Sequence, residues 1–359
     1  MDGLVKKGIS KDIVRIGEYL IGGDQPCFVI AEAGVNHNGS IELARRLVDA
    51  AALAGANAVK FQTFKADKLI STAAPKAAYQ IETTDSTESQ LDMVRRLELT
   101  YDDFSALFDH CRKVGILFLS TPFDEESADF LDDLGVTAFK IPSGELTNLA
   151  FLEYVSAKGK PMIVSTGMAT MEEVDTAVRT IRSSSDAGLV LLHCVSNYPA
   201  DPADVNLRAM ETMRRAFGVS VGYSDHTLGI DVPLAATALG ASVIEKHFTL
   251  DRTLPGPDHR ASLEPHEIEA MISGIRTVEK ALGHGEKRPA ASESDTARAA
   301  RKSLVAACDI PAGTCMTREL VAVKRPGNGL PPAVLDSLLG KIANVSIKKD
   351  TLLSMDMFT

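Results

Sequence analysis

No stretch of the 359 residues approaches the ~20 consecutive apolar side chains a membrane-spanning helix needs. The start, Met1-Asp2-Gly3, also lacks the basic-then-apolar pattern of an export signal. Positive charge is short as well: 38 Lys and Arg stand against 48 Asp and Glu, giving a formal net charge of −10 and a pI near 5.4. A surface of that sign is not built for nucleic acid or anionic lipid, so any anionic ligand has to be met by locally placed cations. The five cysteines, Cys27, Cys111, Cys194, Cys308 and Cys315, form no C-x-x-C pair, and an odd number in so long a chain does not describe a disulfide framework. These absences together point to a soluble protein of the reducing cytoplasm.

What is present is hydrophobic mass, 45% of the residues, enough for one large core and more than one domain. From Cys27 onward, short β-rich runs alternate with longer amphipathic stretches such as Ile41 to Leu53 and Met171 to Ile181. The runs are CFVIAEAG, NAVKFQ, ILFLSTP, AFKIPSG, MIVSTG, LVLLHC, VSVGYS and SVIEKHF. Eight βα units in about 250 residues match a closed (β/α)8 TIM barrel, whose chemistry gathers at the C-terminal strand ends. Those ends are loaded with Glu32, Lys60 and Gln62, Ser120 and Thr121, Lys140, Ser143 and Glu145, Ser165 and Thr166, His193, Ser224 and His226, and Glu245 and His247. A barrel over residues 1–282, including a short N-terminal extension, is followed by a Gly-, Ala-, Ser- and charge-rich stretch over 283–300 that reads as a linker. The remainder, 301–359, has short β-like runs, SLVAA and LVAVKR, and turn chemistry at IPAG and RPGNG. At about 60 residues without disulfides it is a marginal independent folder, expected to dock on the barrel or another subunit.

The runs AEAGVNHNG, VKFQTFKADKLIS, FLSTPFD, KIPSGE, STGMAT, GYSDHT, EKHFTLD, GPDHRASLEP and KRPGNG, in this order over nearly the whole chain, resemble the sialic acid synthases. The resemblance implies a TIM barrel joined to a small C-terminal antifreeze-like (SAF) domain, in a domain-swapped homodimer whose small domain covers the partner's site. It implies condensation of phosphoenolpyruvate with an N-acylated amino sugar, N-acetylmannosamine or a close relative, with C–O cleavage and phosphate release.

The residues fit that chemistry one by one. His226 and His247 end adjacent strands, so their imidazoles can converge on a divalent ion; two nitrogens leave positions open for water and substrate, which favours Mn²⁺ or Mg²⁺ over a closed zinc site. Asp225 and Glu245 are candidates to orient them. Lys60 and Lys140 call for an anionic partner, supplied by phosphoenolpyruvate, with Ser143, Ser165, Ser196, Ser224 and Thr121 as neutral donors around its carboxylate and phosphate. Glu32 and Glu145 are the candidate acid and base, or else salt-bridge partners of the two lysines. Gln62, Tyr198 and Asp258 are assigned to the sugar, and Arg325, in KRPGNG, to its N-acyl group from the partner chain. His37 is expected to help organise the mouth near Glu32, His193 to be a hydrogen-bonded core histidine, and Met168 and Met171 to be packing or loop residues.

Three other readings stand beside this one. A legionaminic acid synthase would use 2,4-diacetamido-2,4,6-trideoxymannose by the same mechanism, and segments such as PKAAYQ and TESQLDM suit either group. A Schiff-base aldolase would use Lys60 or Lys140 without metal. A non-catalytic sugar-binding protein would keep the barrel and lose the reaction.

Overall fold

A computed structural model describes residues 13–77, 80, 81, 84 and 87–359. The reading of Met1-Asp2-Gly3, and Ala78 and Tyr79 of PKAAYQ, lie outside the described residues. By internal contacts the chain divides into two compact units, Met1–Gly283 and His284–Thr359.

In the first unit, eight strands form one parallel sheet: β3 (Phe28–Gly34), β4 (Ala58–Thr63), β5 (Leu117–Pro122), β6 (Phe139–Ile141), β7 (Met162–Ser165), β8 (Leu189–Cys194), β9 (Ser220–Asp225) and β10 (Val243–His247). Their order is β5-β4-β3-β10-β9-β8-β7-β6, and β5 and β6 stand side by side at the remaining joint. This is the TIM barrel that the eight runs predict, with helices between successive strands. The sequence pattern sets the helices too. In Ile41–Leu53, Ala44, Leu47, Val48 and Ala51 recur at three- and four-residue spacing and are buried, while the Ser40 hydroxyl caps the start by accepting from the Leu43 N–H. The helix from Met171 begins with a Thr170/Glu173 capping box and runs to Ser184, one turn past the Ile181 read from periodicity, because its last turn is exposed and carries no apolar residue.

Side chains alternate across each strand, and the two faces have different jobs. One set, including Val29, Val59, Phe61, Phe118, Phe139, Val164, Leu191, Val221, Tyr223 and Ile244, packs outward against the helices. The other faces the barrel interior, where Phe28, Ile30, Ala58, Leu119, Ala138, Ile163, Val190, Leu192 and Val243 fill the N-terminal half. Among the described residues before Asp24, β1 (Val14–Ile16) and β2 (Tyr19–Ile21) form an antiparallel hairpin. Its Val14, Ile16 and Ile21 are buried in this interior cluster, so the hairpin plugs the bottom of the barrel.

The second unit has its own core, built from Leu304, Ala306, Ile310, Met316, Leu338, Ala343, Ile347, Leu353 and Phe358. Its antiparallel strands β11 (Ser303–Ala306) and β12 (Val321–Lys324) coincide with the runs SLVAA and LVAVKR. The linker reading of 283–300 needs correction. A 3-10 turn, Ala291–Glu293, and a helix, Ser294–Ala300, occupy its second half, and the Arg298 carbonyl accepts from the Gly327 N–H within the same unit. The helix carries no buried residue, so no apolar stripe announces it; alanine's helix propensity favours it, and the Glu293 carboxylate accepting from the Ala290 N–H closes the 3-10 turn before it.

Candidate active site

Above the apolar plug, the inward positions change character, and a cavity of about 380 Å³ opens at the C-terminal end of the barrel. Strand parity delivers Glu32, Lys60, Gln62, Thr121, Lys140, Ser165, Cys194, Ser224, Glu245 and His247 to its walls, and the following loops add Ser143, Ser196, Tyr198, His226 and Asp258. Of the fifteen residues assigned to the site from sequence, all but Glu145 and Arg325 line this one cavity.

Its centre is a buried cluster of two cations and two carboxylates. Lys60 Nζ lies 2.7 Å from Glu32 Oε2 and 3.8 Å from Glu245 Oε2, and donates to Thr121 Oγ1 at 3.2 Å. Lys140 Nζ lies 3.5 Å from Glu245 Oε1 and donates to Ser165 Oγ at 2.8 Å. Ser224 donates to Glu245 at 2.9 Å, and Gln62 Nε2 donates to Glu32 at 3.3 Å. Burial raises Glu32 to about 7 despite the adjacent Lys60 charge. Glu245, also disfavoured by burial, is nonetheless held below the usual carboxylate range by Lys140 and Lys60. Burial likewise works against both ammonium groups. At Lys140 it wins and the pKa falls, whereas at Lys60 Glu245 and Glu32 more than offset it and the pKa rises.

Beside this cluster the two imidazoles stand 5.4 Å apart, ring centre to ring centre, with the Tyr198 ring 4.2 Å from His226 and 5.5 Å from His247. Burial pushes both below the ordinary histidine value, so both are neutral near pH 7. His226 Nδ1 lies 2.6 Å from the Val195 carbonyl; donating there leaves Nε2 with the lone pair. His247 Nδ1 is buried without a hydrogen-bond partner, its nearest carboxylate being Asp258 at 3.8 Å. Burial raises Asp258 to about 6. Among the described residues no group of three or more His, Cys, Asp or Glu is gathered for a metal ion. The donor set that is present, two neutral imidazoles at the rim of a polar cavity, fits a divalent ion completed by water and substrate oxygens, and not a closed structural site.

On the other flank Ser143 Oγ accepts from the Gly167 N–H at 2.9 Å and lies 3.1 Å from Cys194 Sγ. A Cβ on Gly167 would come within 2.3 Å of Ser196 Oγ and 2.8 Å of Ser143 Oγ, so only glycine lets this cluster of hydroxyls and backbone N–H close up.

Several assignments move. Glu145 lies on the 3-10 turn Ser143–Glu145 past β6, outside the cavity lining, where Oε2 accepts from Asn148 at 2.7 Å. Of the two candidate carboxylates only Glu32 pairs with a lysine, and the second carboxylate among the lysines is Glu245, the residue expected to orient the histidines. Asp225 does not orient the histidines by direct contact either: its carboxylate faces Lys246 and Thr227, and the Val195 carbonyl holds His226. Arg325 is exposed in the C-terminal unit, just after β12. His193 Nε2 lies 2.7 Å from the Val205 carbonyl, a satisfied histidine, while His37 is buried in the loop after β3, its Nδ1 accepting from the Gly39 N–H. Met168, read as a packing or loop residue, is exposed at the cavity mouth. Sequence reasoning missed Cys194 and the apolar outer wall, Phe64, Leu69, Ile70, Met93, Val94 and Leu97, contributed by the long segment after β4.

The model of the NeuB family matches residues 47–287, and that of the SAF domain matches residues 301–359. The chain belongs to the NeuB family. It is 49% identical to the N,N'-diacetyllegionaminic acid synthase of Campylobacter jejuni over 327 residues, covering 90% of this chain and 98% of that one. It is 46% identical to the enzyme of the same name from Legionella pneumophila, with 92% and 94% covered. Among solved structures, the N-acetylneuraminic acid synthetase of Leptospira borgpetersenii superposes with a TM-score of 0.69 at 38% identity, over 79% of this chain and 95% of that one.

Proposed function

We propose that this NeuB-family chain is a metal-dependent synthase condensing phosphoenolpyruvate with 2,4-diacetamido-2,4,6-trideoxymannose, releasing phosphate and forming a nine-carbon 2-keto acid. The observation that carries the reading is the pair of buried lysines, matched only by carboxylates, facing two neutral imidazoles across one cavity. The choice of sugar rests on similarity to the two legionaminic acid synthases and on the apolar outer wall, which suits a 6-deoxy carbon and acetyl methyl groups. Lys60 and Lys140 are the only lysine or arginine side chains among the described residues lining the cavity, and both are committed to phosphoenolpyruvate, so a sugar 6-phosphate would lack a cation. N-acetylmannosamine is the second reading, favoured by the likeness to the Leptospira sialic acid synthetase.

In this scheme Lys60 and Lys140 exchange their carboxylate partners for the phosphate and carboxylate of phosphoenolpyruvate, with Thr121, Ser143, Ser165, Ser196, Ser224 and the Gly167 N–H as further donors. Gln62, Tyr198 and Asp258 orient the open-chain sugar so that its aldehyde carbon meets C3 of phosphoenolpyruvate. A Mn²⁺ or Mg²⁺ ion would be held by His226 and His247 and, when bound, would supply Lewis acidity for the aldehyde. Glu32, at about 7, is protonated in a useful fraction and gives its proton to the aldehyde oxygen as the C–C bond forms. Water then adds at C2, giving up its proton to Glu32, which the first step leaves as a carboxylate, and the tetrahedral carbon expels phosphate.

The test is phosphate release from phosphoenolpyruvate with each sugar side by side, with and without Mn²⁺, run in water enriched in heavy oxygen. Label in the keto acid and none in the phosphate is expected. Labelled phosphate would overturn C–O cleavage, and full activity in chelator with borohydride-trappable adducts would replace the scheme by a Schiff-base aldolase.

A further inference from the structure

We propose that the buried ion pair Asp225–Lys246 is the positioning device that sets His226 and His247 at metal-binding separation. Each member is the chain neighbour of one imidazole, and the two are direct partners in the β9–β10 register. Their side chains have the outward parity, so they sit beneath the imidazoles on the helix side of the sheet and do not line the cavity. Both are fully buried. Lys246 Nζ lies 2.5 Å from Asp225 Oδ2 and also donates to the Thr227 carbonyl, while the Thr227 N–H and hydroxyl donate to Asp225 Oδ1 at 3.1 and 3.0 Å. Lys246 therefore ties the end of β10 to the chain on both sides of His226. Gly222 serves the same approach lower down, since a Cβ there would fall 2.4 Å from the Val243 carbonyl oxygen.

A fully buried ion pair is weak as a source of stability, because removing two charges from water costs about what their attraction returns. A function in fixing geometry accounts for it: between them the two residues leave the strand ends carrying His226 and His247 no freedom to splay or slide. Substrate contact does not account for it, because neither side chain reaches the cavity.

The inference rests on the metal reading above, and the experiment separates the two. Mn²⁺ binding to the full chain is titrated by the paramagnetic resonance signal of free Mn²⁺, for the unsubstituted protein, Lys246→Met, Asp225→Asn, and the double variant Asp225→Asn/Lys246→Met. Thermal unfolding and calorimetric phosphoenolpyruvate binding in chelator are run alongside. The expected result is a 10- to 100-fold rise in the Mn²⁺ Kd, the usual scale for partners one step behind a ligand, with phosphoenolpyruvate affinity changed less than about twofold. The double variant leaves no bare buried charge, so it keeps its fold even where a single variant does not. Folded variants that bind Mn²⁺ as the unsubstituted chain does would overturn the positioning role and leave the metal reading standing. Absence of Mn²⁺ binding by the unsubstituted chain would remove both.

Discussion

Lys140→Met tests the centre of the proposed site, because stability and function are expected to move apart. In the fold Lys140 is 2% exposed, and burial already presses its pKa down, a sign that the charge sits there at a cost. Removing it strips Glu245 of a partner at 3.5 Å but leaves Lys60 at 3.8 Å and the Ser224 hydroxyl at 2.9 Å. The surplus negative charge has an outlet as well, since Glu32, at about 7, can take up a proton. Stability should therefore change by no more than about 1 kcal/mol, or rise, as often follows when a buried charge gives way to a methylene chain of similar length. Phosphoenolpyruvate loses one charge-assisted contact, about 1.5–3 kcal/mol, which at ~1.4 kcal/mol per decade raises its KM roughly 10- to 150-fold. The assay is phosphate release against phosphoenolpyruvate at saturating sugar, with denaturant unfolding on the same preparation. A KM for phosphoenolpyruvate within twofold of the unsubstituted value would refute the assignment. A loss of 3 kcal/mol or more in stability would mean that the lysine is there to neutralise Glu245.

Arg325→Ala should raise the sugar's KM far more than that of phosphoenolpyruvate; mixing it with Lys140→Met under subunit exchange should restore about a quarter of full activity if the arginine acts in the partner's barrel, and none if it acts in its own. A pH effect comes from His37 and His259, both held near 4 by burial. Between roughly pH 6.5 and 4 the unfolded chain binds protons at these positions and the fold does not, so stability is present above that window and is lost as the pH falls through it, on the order of 3 kcal/mol for His37. Unfolding midpoints measured across this range should fall less steeply for His37→Gln, and an unchanged slope would exclude the buried neutral imidazole as the cause.

How much of this was legible in the sequence follows from how barrel strands address their side chains. Eight β-rich runs with amphipathic stretches between them point to the barrel, and a two-residue alternation counted from any one known interior residue sorts the strand ends into cavity and helix-side positions. Applied along β10, that count puts Glu245 and His247 inside and Lys246 outside. Along β8 it selects Cys194, and along β5 and β4 it separates Thr121 from Ser120, whose hydroxyl faces Thr63 at 2.7 Å on the outer face. Proximity to a strand end is thus too coarse a criterion, and parity recovers Cys194 and places Glu245 inside the cavity. Parity fails once the strand stops. Glu145 sits two residues into a 3-10 turn, where nothing local to the sequence says whether it points inward, and the apolar wall comes from a segment whose hydrophobic residues look like ordinary packing until the fold lays them over the mouth. The Asp225–Lys246 pair lies between these cases. Its outward parity is readable, but a lysine and an aspartate facing a helix layer look like errors of assignment until the register sets them side by side, and pairing across two strands is information that one sequence does not carry.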